Sequence, residues 1–399
     1  MRHRSTAWRI MHTAGRRLSS FGMAFLIGSM AALAADPEVA GIETKARNAV
    51  LIDVTTRTML FEKAPDESIP PASMVKLMTL AVLFKAIADG EVTLETTFPI
   101  SEHAWRTGGA PSRTSTMFAE LGSEVRVEDL IRGIAVQSAN DACIAVAEGM
   151  AGSESAFAAR MDALGKEIGL KNSRFGNPTG LPDEKTRMSV ADLAAVALYL
   201  IDTYPQFYPI FSETEFTWNN ILQRNRNPLF GKDIGADGLK TGYTEAAGYG
   251  IVASAVRDGR RLLLVIAGLE SPSDREDEAL RLLRVGFDEF EDVTLFDMGE
   301  EVSSARVYGG SQRYVPLVAK RAVMSAMPLE GREAYRMRMV YNGPVEAPVR
   351  QGQRIGALHL YNDKRLVQRT PLFAAEEVGV GQLHQRARDA AGQLLFGWW

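Results

Sequence analysis

Ile69-Pro70-Pro71-Ala72-Ser73-Met74-Val75-Lys76-Leu77-Met78-Thr79-Leu80 opens a long apolar stretch that runs on through Ala81-Val82-Leu83-Phe84. The two prolines make a rigid entry to a helix that is apolar almost all round, the pattern of a helix buried in a core. Ser73 falls in the first turn. Lys76, three residues on, lies one turn away on the same face, so its ammonium can reach the hydroxyl. A serine is a weak nucleophile until a neighbour takes its proton, and a lysine can do that where burial and another cation lower its pKa. The unpaired N–H groups of a helix start favour negative charge developing there. Ser-x-x-Lys alone is a common pattern, and its ordinary meaning is a capping serine and a surface lysine. Here it occurs once in the chain, and its lysine interrupts an apolar helix, where an unpaired cation is costly and usually has a task.

At 399 residues the chain has room for two domains, and its composition is that of an ordinary globular protein. A single cysteine, Cys143, excludes an intramolecular disulfide. Arg2, Arg4, Arg9, Arg16 and Arg17 precede the apolar run Leu18 to Leu33 and the A-x-A site Ala32-Leu33-Ala34. Residues 1–34 are therefore expected to be a signal peptide, with the mature protein working outside the cytoplasm. Loss of those five arginines takes the formal charge from −4 to about −9. Without a sizeable basic cluster or aromatic-basic interleaving, a nucleic-acid partner is not expected.

Asn48 to Val54 and Met59 to Phe61 read as a strand pair leading to the Ser73 helix. A helical middle follows: Val127 to Val136, Ile144 to Met150, Ser153 to Gly169 and Ser189 to Thr203, the last two opened by serine caps. Ser138 and Asn140 mark a break between helices, where polar side chains can face a cleft. Asp237 to Tyr243 begins a strand-rich region, Tyr249 to Val256 and Arg261 to Ala267 form a hairpin through Asp258-Gly259, and Ser273-Asp274-Arg275-Glu276 reads as the capping box of a closing helix. This order gives an α+β domain over residues 35–296, an antiparallel sheet with helices packed on it. Short alternating runs between Ala305 and Phe373 give a small all-β domain over 297–378. In the tail, 379–399, Leu383, Ala387, Ala390, Leu394 and Trp398 recur at helical spacing. This is an amphipathic helix expected to lie on a membrane surface, the alternative being a helix docked on its own domain.

Three motifs now stand in order: Ser73-Met74-Val75-Lys76, Ser138-Ala139-Asn140 and Lys240-Thr241-Gly242. Together they resemble the signature set of penicillin-binding proteins and class A β-lactamases. Asn177-Pro178-Thr179-Gly180-Leu181, Asn225-Arg226-Asn227 and Tyr243-Thr244, with Ala246 to Tyr249, narrow the resemblance. They are similar to motifs of the D-alanyl-D-alanine carboxypeptidases among the low-molecular-mass penicillin-binding proteins. Tyr243 stands where several relatives carry His. The resemblance implies a β-lactamase/transpeptidase-like catalytic domain, peptidoglycan stem peptides as substrates, β-lactam antibiotics as inhibitors, and no metal or cofactor. Ser73 would be the nucleophile and Lys76 its base, its pKa depressed by Lys240. Ser138 would relay the proton to the leaving amine, and Asn140 would bond the substrate amide. Ser73 and Tyr243 would supply the oxyanion N–H groups, and Arg226, Lys240 and Thr241 would hold the terminal carboxylate beside Gly242.

Two other readings stay open. A β-lactamase of class A carries a deacylating Glu in a Glu-x-x-x-Asn segment, and Glu215 to Asn219 has that pattern, although close to Lys240. A non-catalytic lactam- or muropeptide-binding module has no need of Lys76 and Ser138. A Ser-His-Asp hydrolase is disfavoured, because the mature chain has only His103, His359 and His384 and no Gly-x-Ser-x-Gly elbow.

Overall fold

The structure, a computed structural model, describes residues 42–396. The expected signal peptide and the two terminal tryptophans lie outside them. The described residues divide into two compact units, one holding 42–55 and Met59–Glu289, the other Thr56–Thr58 and 290–396.

The first unit is built on a five-stranded antiparallel sheet. Its spatial order is Thr58–Lys63, Asn48–Asp53, Arg260–Leu269, Gly248–Arg257, Ala236–Thr244, so the chain's early strands join its late hairpin and Ala236–Thr244 is left at an edge. Val50 faces Val265 and Tyr243 faces Tyr249 across neighbouring strands. Asp258 and Gly259, both with positive φ, make the tight turn that Asp-Gly favours. Alternation divides the sheet between two layers. Val50, Ile52, Val252, Leu263 and Val265 join the large core formed with the helices Lys76–Ala88, Asn140–Ala151, Glu154–Ile168 and Val190–Thr203. On the other face the helix Pro272–Asp288 lies against the sheet, where a Cβ on Gly286 would stand 2.7 Å from Leu262 and 3.1 Å from Leu51. That helix starts two residues earlier than Ser273 predicts. Ser271 is the cap, accepting from the Asp274 N–H at 3.0 Å, and Pro272 takes the first helical position, where a missing N–H costs nothing.

The second unit has a six-stranded sheet ordered Tyr335–Tyr341, Arg354–Asn362, Arg365–Ala374, Tyr314–Val318, Glu301–Tyr308, Val345–Glu346, and a separate pair, Phe290–Phe296 with Val323–Pro328. The division therefore falls before Phe290 and not after Phe296. The strand Phe290–Phe296 pairs within this unit, with Val293 opposite Ser325. Val302, Val307, Val315, Leu317, Leu358 and Leu372 form its core. The tail helix Leu383–Phe396 begins beside the loop Gly309-Gly310-Ser311. Asp389 is buried and accepts from the Gly309 N–H at 2.9 Å, while Leu383 is 81% exposed. Among the described residues no helix is long and apolar enough to cross a membrane.

Candidate active site

Ser73 sits in a short 3-10 turn, Ala72–Val75, that runs directly into the helix Lys76–Ala88. Two close approaches hold this turn. On one side Gly180, at φ 77°, lies so near that a Cβ would stand 2.0 Å from the Ala72 carbonyl oxygen. On the other side Met74 fills the space that two strand glycines leave. A Cβ on Gly242 would be 3.0 Å from its Cγ, and one on Gly250 2.7 Å from its Cε. The Ser73 turn and the edge strand are thus in van der Waals contact because residue 242 has no side chain.

Lys76 is fully buried, and its Nζ donates to three acceptors: Ser73 Oγ at 2.9 Å, Asn140 Oδ1 at 2.7 Å and the Thr179 carbonyl at 2.5 Å. Thr179 is aimed inward by Asn177, whose Oδ1 accepts from the N–H groups of Thr179 and Gly180 at 3.0 and 2.8 Å. Asn140, the first residue of the helix Asn140–Ala151, is held at both ends of its amide, because Nδ2 also donates to Thr114 Oγ1 at 2.9 Å. Ser138 lies just before it in the left-handed region, φ 64°, at the end of a π-helical turn, Gly133–Gln137. Its buried hydroxyl has no hydrogen-bond partner among the described residues. A π turn and a left-handed serine are each locally unfavourable, and such features persist where a site requires them.

Lys240 and Thr241 are buried in the edge strand, and Lys240 Nζ donates to the Thr241 carbonyl at 2.9 Å. Tyr243 projects at the strand's far end, stacked on Tyr249 with ring centroids 4.1 Å apart. Arg226 follows the hairpin Glu215–Trp218/Ile221–Arg224, and its Nη1 donates to Ser115 Oγ at 2.7 Å.

Burial lowers the Lys76 pKa to about 8, and the Arg226 charge adds to the effect. Burial also pulls Lys240 well down, with Lys76 the next cause. Repulsion between like charges is mutual, so Lys240 and Arg226 both disfavour the charged form of Lys76. At a pKa near 8 a useful fraction of Lys76 is neutral at physiological pH. The donor count then decides its orientation. A neutral amine keeps two N–H bonds, and two of its three partners, the Asn140 and Thr179 oxygens, can only accept. Its lone pair is left for the one partner that has a proton to give, Ser73. Buried Cys143 has its thiol pushed up to about 12 by burial, so it is a small core residue there and not a second nucleophile.

Ser73, Lys76 and Asn140 are joined directly, and Arg226 and Lys240 share the electrostatic neighbourhood of Lys76. Ser138, Thr241, Gly242 and Tyr243 make no hydrogen bond to Ser73 or Lys76. Four residues with a part in the site were not singled out from the sequence: Thr114, Ser115, Asp141 and Thr179. Asp141 is buried and accepts from Thr116 Oγ1 at 2.6 Å and from the N–H groups of Met117 and Ala119 at 3.0 and 3.4 Å. It pins the loop that carries Thr114 and Ser115 to Asn140 and Arg226. Thr179 stood inside a motif already quoted, and Asp141 directly follows another. The Thr114–Ser115 pair has no local pattern.

Residues 32–271 match the family model of D-alanyl-D-alanine carboxypeptidase, and residues 290–380 match that of the penicillin-binding protein 5 C-terminal domain. The D-alanyl-D-alanine carboxypeptidase DacD of Salmonella typhimurium is 34% identical over 382 residues, covering 94% of this chain and 97% of its own. DacA of Escherichia coli is 34% identical over 89% of this chain and 88% of its own. Among solved structures, penicillin binding protein 5 from Haemophilus influenzae superposes with a TM-score of 0.74 at 35% identity, covering 86% of this chain and 99% of that one. With both domains matched and relatives of about 34% identity covering nearly the whole chain, the chain belongs to the D-alanyl-D-alanine carboxypeptidase family of serine penicillin-binding proteins.

Proposed function

We propose that this carboxypeptidase removes the terminal D-alanine of peptidoglycan stem pentapeptides through an acyl-enzyme on Ser73. The observation that carries this reading is the buried Lys76 ammonium, 2.9 Å from Ser73 Oγ and with no carboxylate among its hydrogen-bond partners. Neutral Lys76 takes the Ser73 proton as Oγ attacks the carbonyl between the two D-alanines. The Ser73 and Tyr243 N–H groups receive the developing oxyanion, each such donor contributing about 2.7–4 kcal/mol in comparable sites. The C–N bond breaks, the proton passes through Ser138 to the leaving amine, and water then hydrolyses the ester. Arg226, Lys240 and Thr241 hold the terminal carboxylate, with Ser115 fixing the angle of the Arg226 guanidinium. Asn140 serves first to hold Lys76, since its Oδ1 accepts from Lys76 while its Nδ2 is tied to Thr114.

Glu215, the residue that would deacylate in a class A β-lactamase, is exposed on its hairpin strand and has no bond to Ser73 or Lys76, which favours the carboxypeptidase over that reading. Penicillin labelling of Ser73, lost together with D-alanine release in Ser73→Ala, tests the assignment. Labelled peptide mapping to another residue would overturn it.

We further propose that the enzyme is exported and held at the membrane surface by its tail helix. Support comes from Leu383, left exposed, and from Asp389, turned inward onto Gly309, so the apolar stripe is not the face used for docking. Deleting 381–399 should release the protein from membranes with peptide cleavage in solution intact. Continued pelleting with membranes would refute the anchor.

A further inference from the structure

We propose that Asp183 is a positioning residue for the Ser73–Lys76 reaction: through Asn177 it fixes the direction of the Thr179 carbonyl, and so the aim of the Lys76 amine. This rests on the reading of Lys76 as the base given above. The Thr179 acceptor is a main-chain carbonyl, so the peptide around it must do the aiming that a side-chain rotamer does at Ser73 and Asn140. Arg174 and Arg187 exchange backbone hydrogen bonds at 2.9 and 3.0 Å, which closes residues 175–186 into a compact loop. Met188 then exchanges two such bonds with Ile69, both at 2.9 Å, and Thr79 of the Lys76 helix donates to the Pro178 carbonyl at 2.7 Å. These contacts place the loop against the Ser73 turn but do not set the peptide after Pro178.

That peptide is set from inside the loop. Asn177 Oδ1 holds the Thr179 and Gly180 N–H groups, and its Nδ2 donates to the Leu181 carbonyl at 3.1 Å and to Asp183 Oδ2. Asp183 is saturated with donors. Its Oδ1 accepts from the N–H groups of Lys185 and, at 2.7 Å, Thr186, while its Oδ2 takes the Thr186 hydroxyl together with the Asn177 amide. Burial works to raise its pKa, but these bonds outweigh it and hold the carboxyl below the ordinary Asp value. An ionised carboxylate accepts on both oxygens and donates on neither. Asp183→Asn must therefore turn an NH2 onto the Asn177 amide or onto the Lys185 and Thr186 N–H groups. Either way the Asn177 amide loses its brace. The Lys76 ammonium then keeps two acceptors of three, which lowers its pKa further, and the neutral amine loses one of the two bonds that leave its lone pair facing Ser73. The charged and titratable groups that bear on Lys76 are Cys143, Arg226, Asp141 and Lys240, none of them in this loop, so the effect of Asp183 runs through geometry and not through its charge.

The test is penicillin acylation of Ser73 from pH 6 to 9 in the full chain. A positioned base contributes about 10²–10⁴-fold, so misaiming it in Asp183→Asn should slow the plateau rate about tenfold, with the rising limb about half a unit lower in pH. Glu184→Gln, at the exposed neighbouring carboxylate, should match the wild type. Asn177→Asp combined with Asp183→Asn exchanges donor and acceptor between the two positions and should recover most of the rate and the limb. If Asp183→Asn alone does not fold, the exchanged pair is read directly against the wild type, with a rate within about threefold expected. Wild-type rate and limb in Asp183→Asn would overturn the proposal. So would a limb that rises, the mark of a loosened fold admitting water to Lys76, and so would an exchanged pair that is as slow as the single variant or does not fold. Absence of Ser73 labelling in the wild type would instead remove the Lys76 reading, and the role of Asp183 with it.

Discussion

Raising the pH from 6 to 9 should switch this enzyme on, and the slope of that change follows from the burial of Lys76. Its pKa is about 8, against 10.5 for an ordinary lysine. The active form carries the neutral amine, so below pH 8 each unit of acidity removes about nine-tenths of the active enzyme, and above pH 8 the gain levels off. The neutral fraction is about one in a hundred at pH 6 and about half at pH 8. The sign is that of a base whose pKa is depressed in the folded state, so the protonated form is the one that burial penalises. Since kcat/KM reports the free enzyme, the assay is D-alanine release at low substrate from pH 6 to 9, beside the rate of penicillin acylation over the same range. Both rising limbs should share one apparent pKa near 8, belonging to the interacting Lys76–Lys240 pair. Arg226→Gln should move the limb of the acylation profile upward, because the Arg226 charge lowers the Lys76 pKa. A profile flat over pH 6–9, or a limb unmoved by loss of the Arg226 charge, would refute Lys76 as the proton acceptor under this electrostatic control.

Three further outcomes are expected. Lys76→Arg should lose at least a hundredfold in acylation, because a guanidinium keeps its proton across the whole accessible range, and near-normal acylation would exclude proton abstraction at this position. Arg226→Ala should cost a peptide with a free terminal carboxylate roughly 1.5–3 kcal/mol in kcat/KM and its amidated analogue far less; equal losses would mark Arg226 as structural. Gly180→Ala should unfold at lower temperature and acylate slowly, because a Cβ 2.0 Å from the Ala72 oxygen must displace the Ser73 turn or the Thr179 carbonyl; a variant with unchanged Tm and rate would show that this contact carries no constraint.

The contact between Ser73 and Lys76 was legible because it is local. Ser73 and Lys76 are one helical turn apart, and a lone cation in a run such as Leu77 to Phe84 is conspicuous. The hairpin through Asp258-Gly259 was legible for the same reason, since two residues specify the turn. Contacts that close over long sequence separation left no such trace. Ser115 meets Arg226 across more than a hundred residues, and nothing around Ser115 marks it. Phe290–Phe296 was not read as a strand of the second unit, because its partner Val323–Pro328 shows little alternation and is buried at most positions. The start of the helix Pro272–Asp288 was misplaced because two serines compete for the cap, and the proline between them, which settles the matter, is itself a residue that usually ends a helix.

Met74 has a consequence for the variation open to this sequence. It touches the Cβ positions of both Gly242 and Gly250, so three residues on two strands and the Ser73 turn share one small volume. None of the three can grow alone. An alanine at Gly250 becomes tolerable only once Met74 has become smaller, and a smaller residue at 74 leaves a void until a strand glycine is replaced. Substitutions here should therefore travel in compensating pairs, each single change harmful and the double change milder than their sum. The residue beside Ser73 is thus constrained by the strand behind it, although it belongs to neither the Lys76 nor the Asn140 hydrogen-bond set.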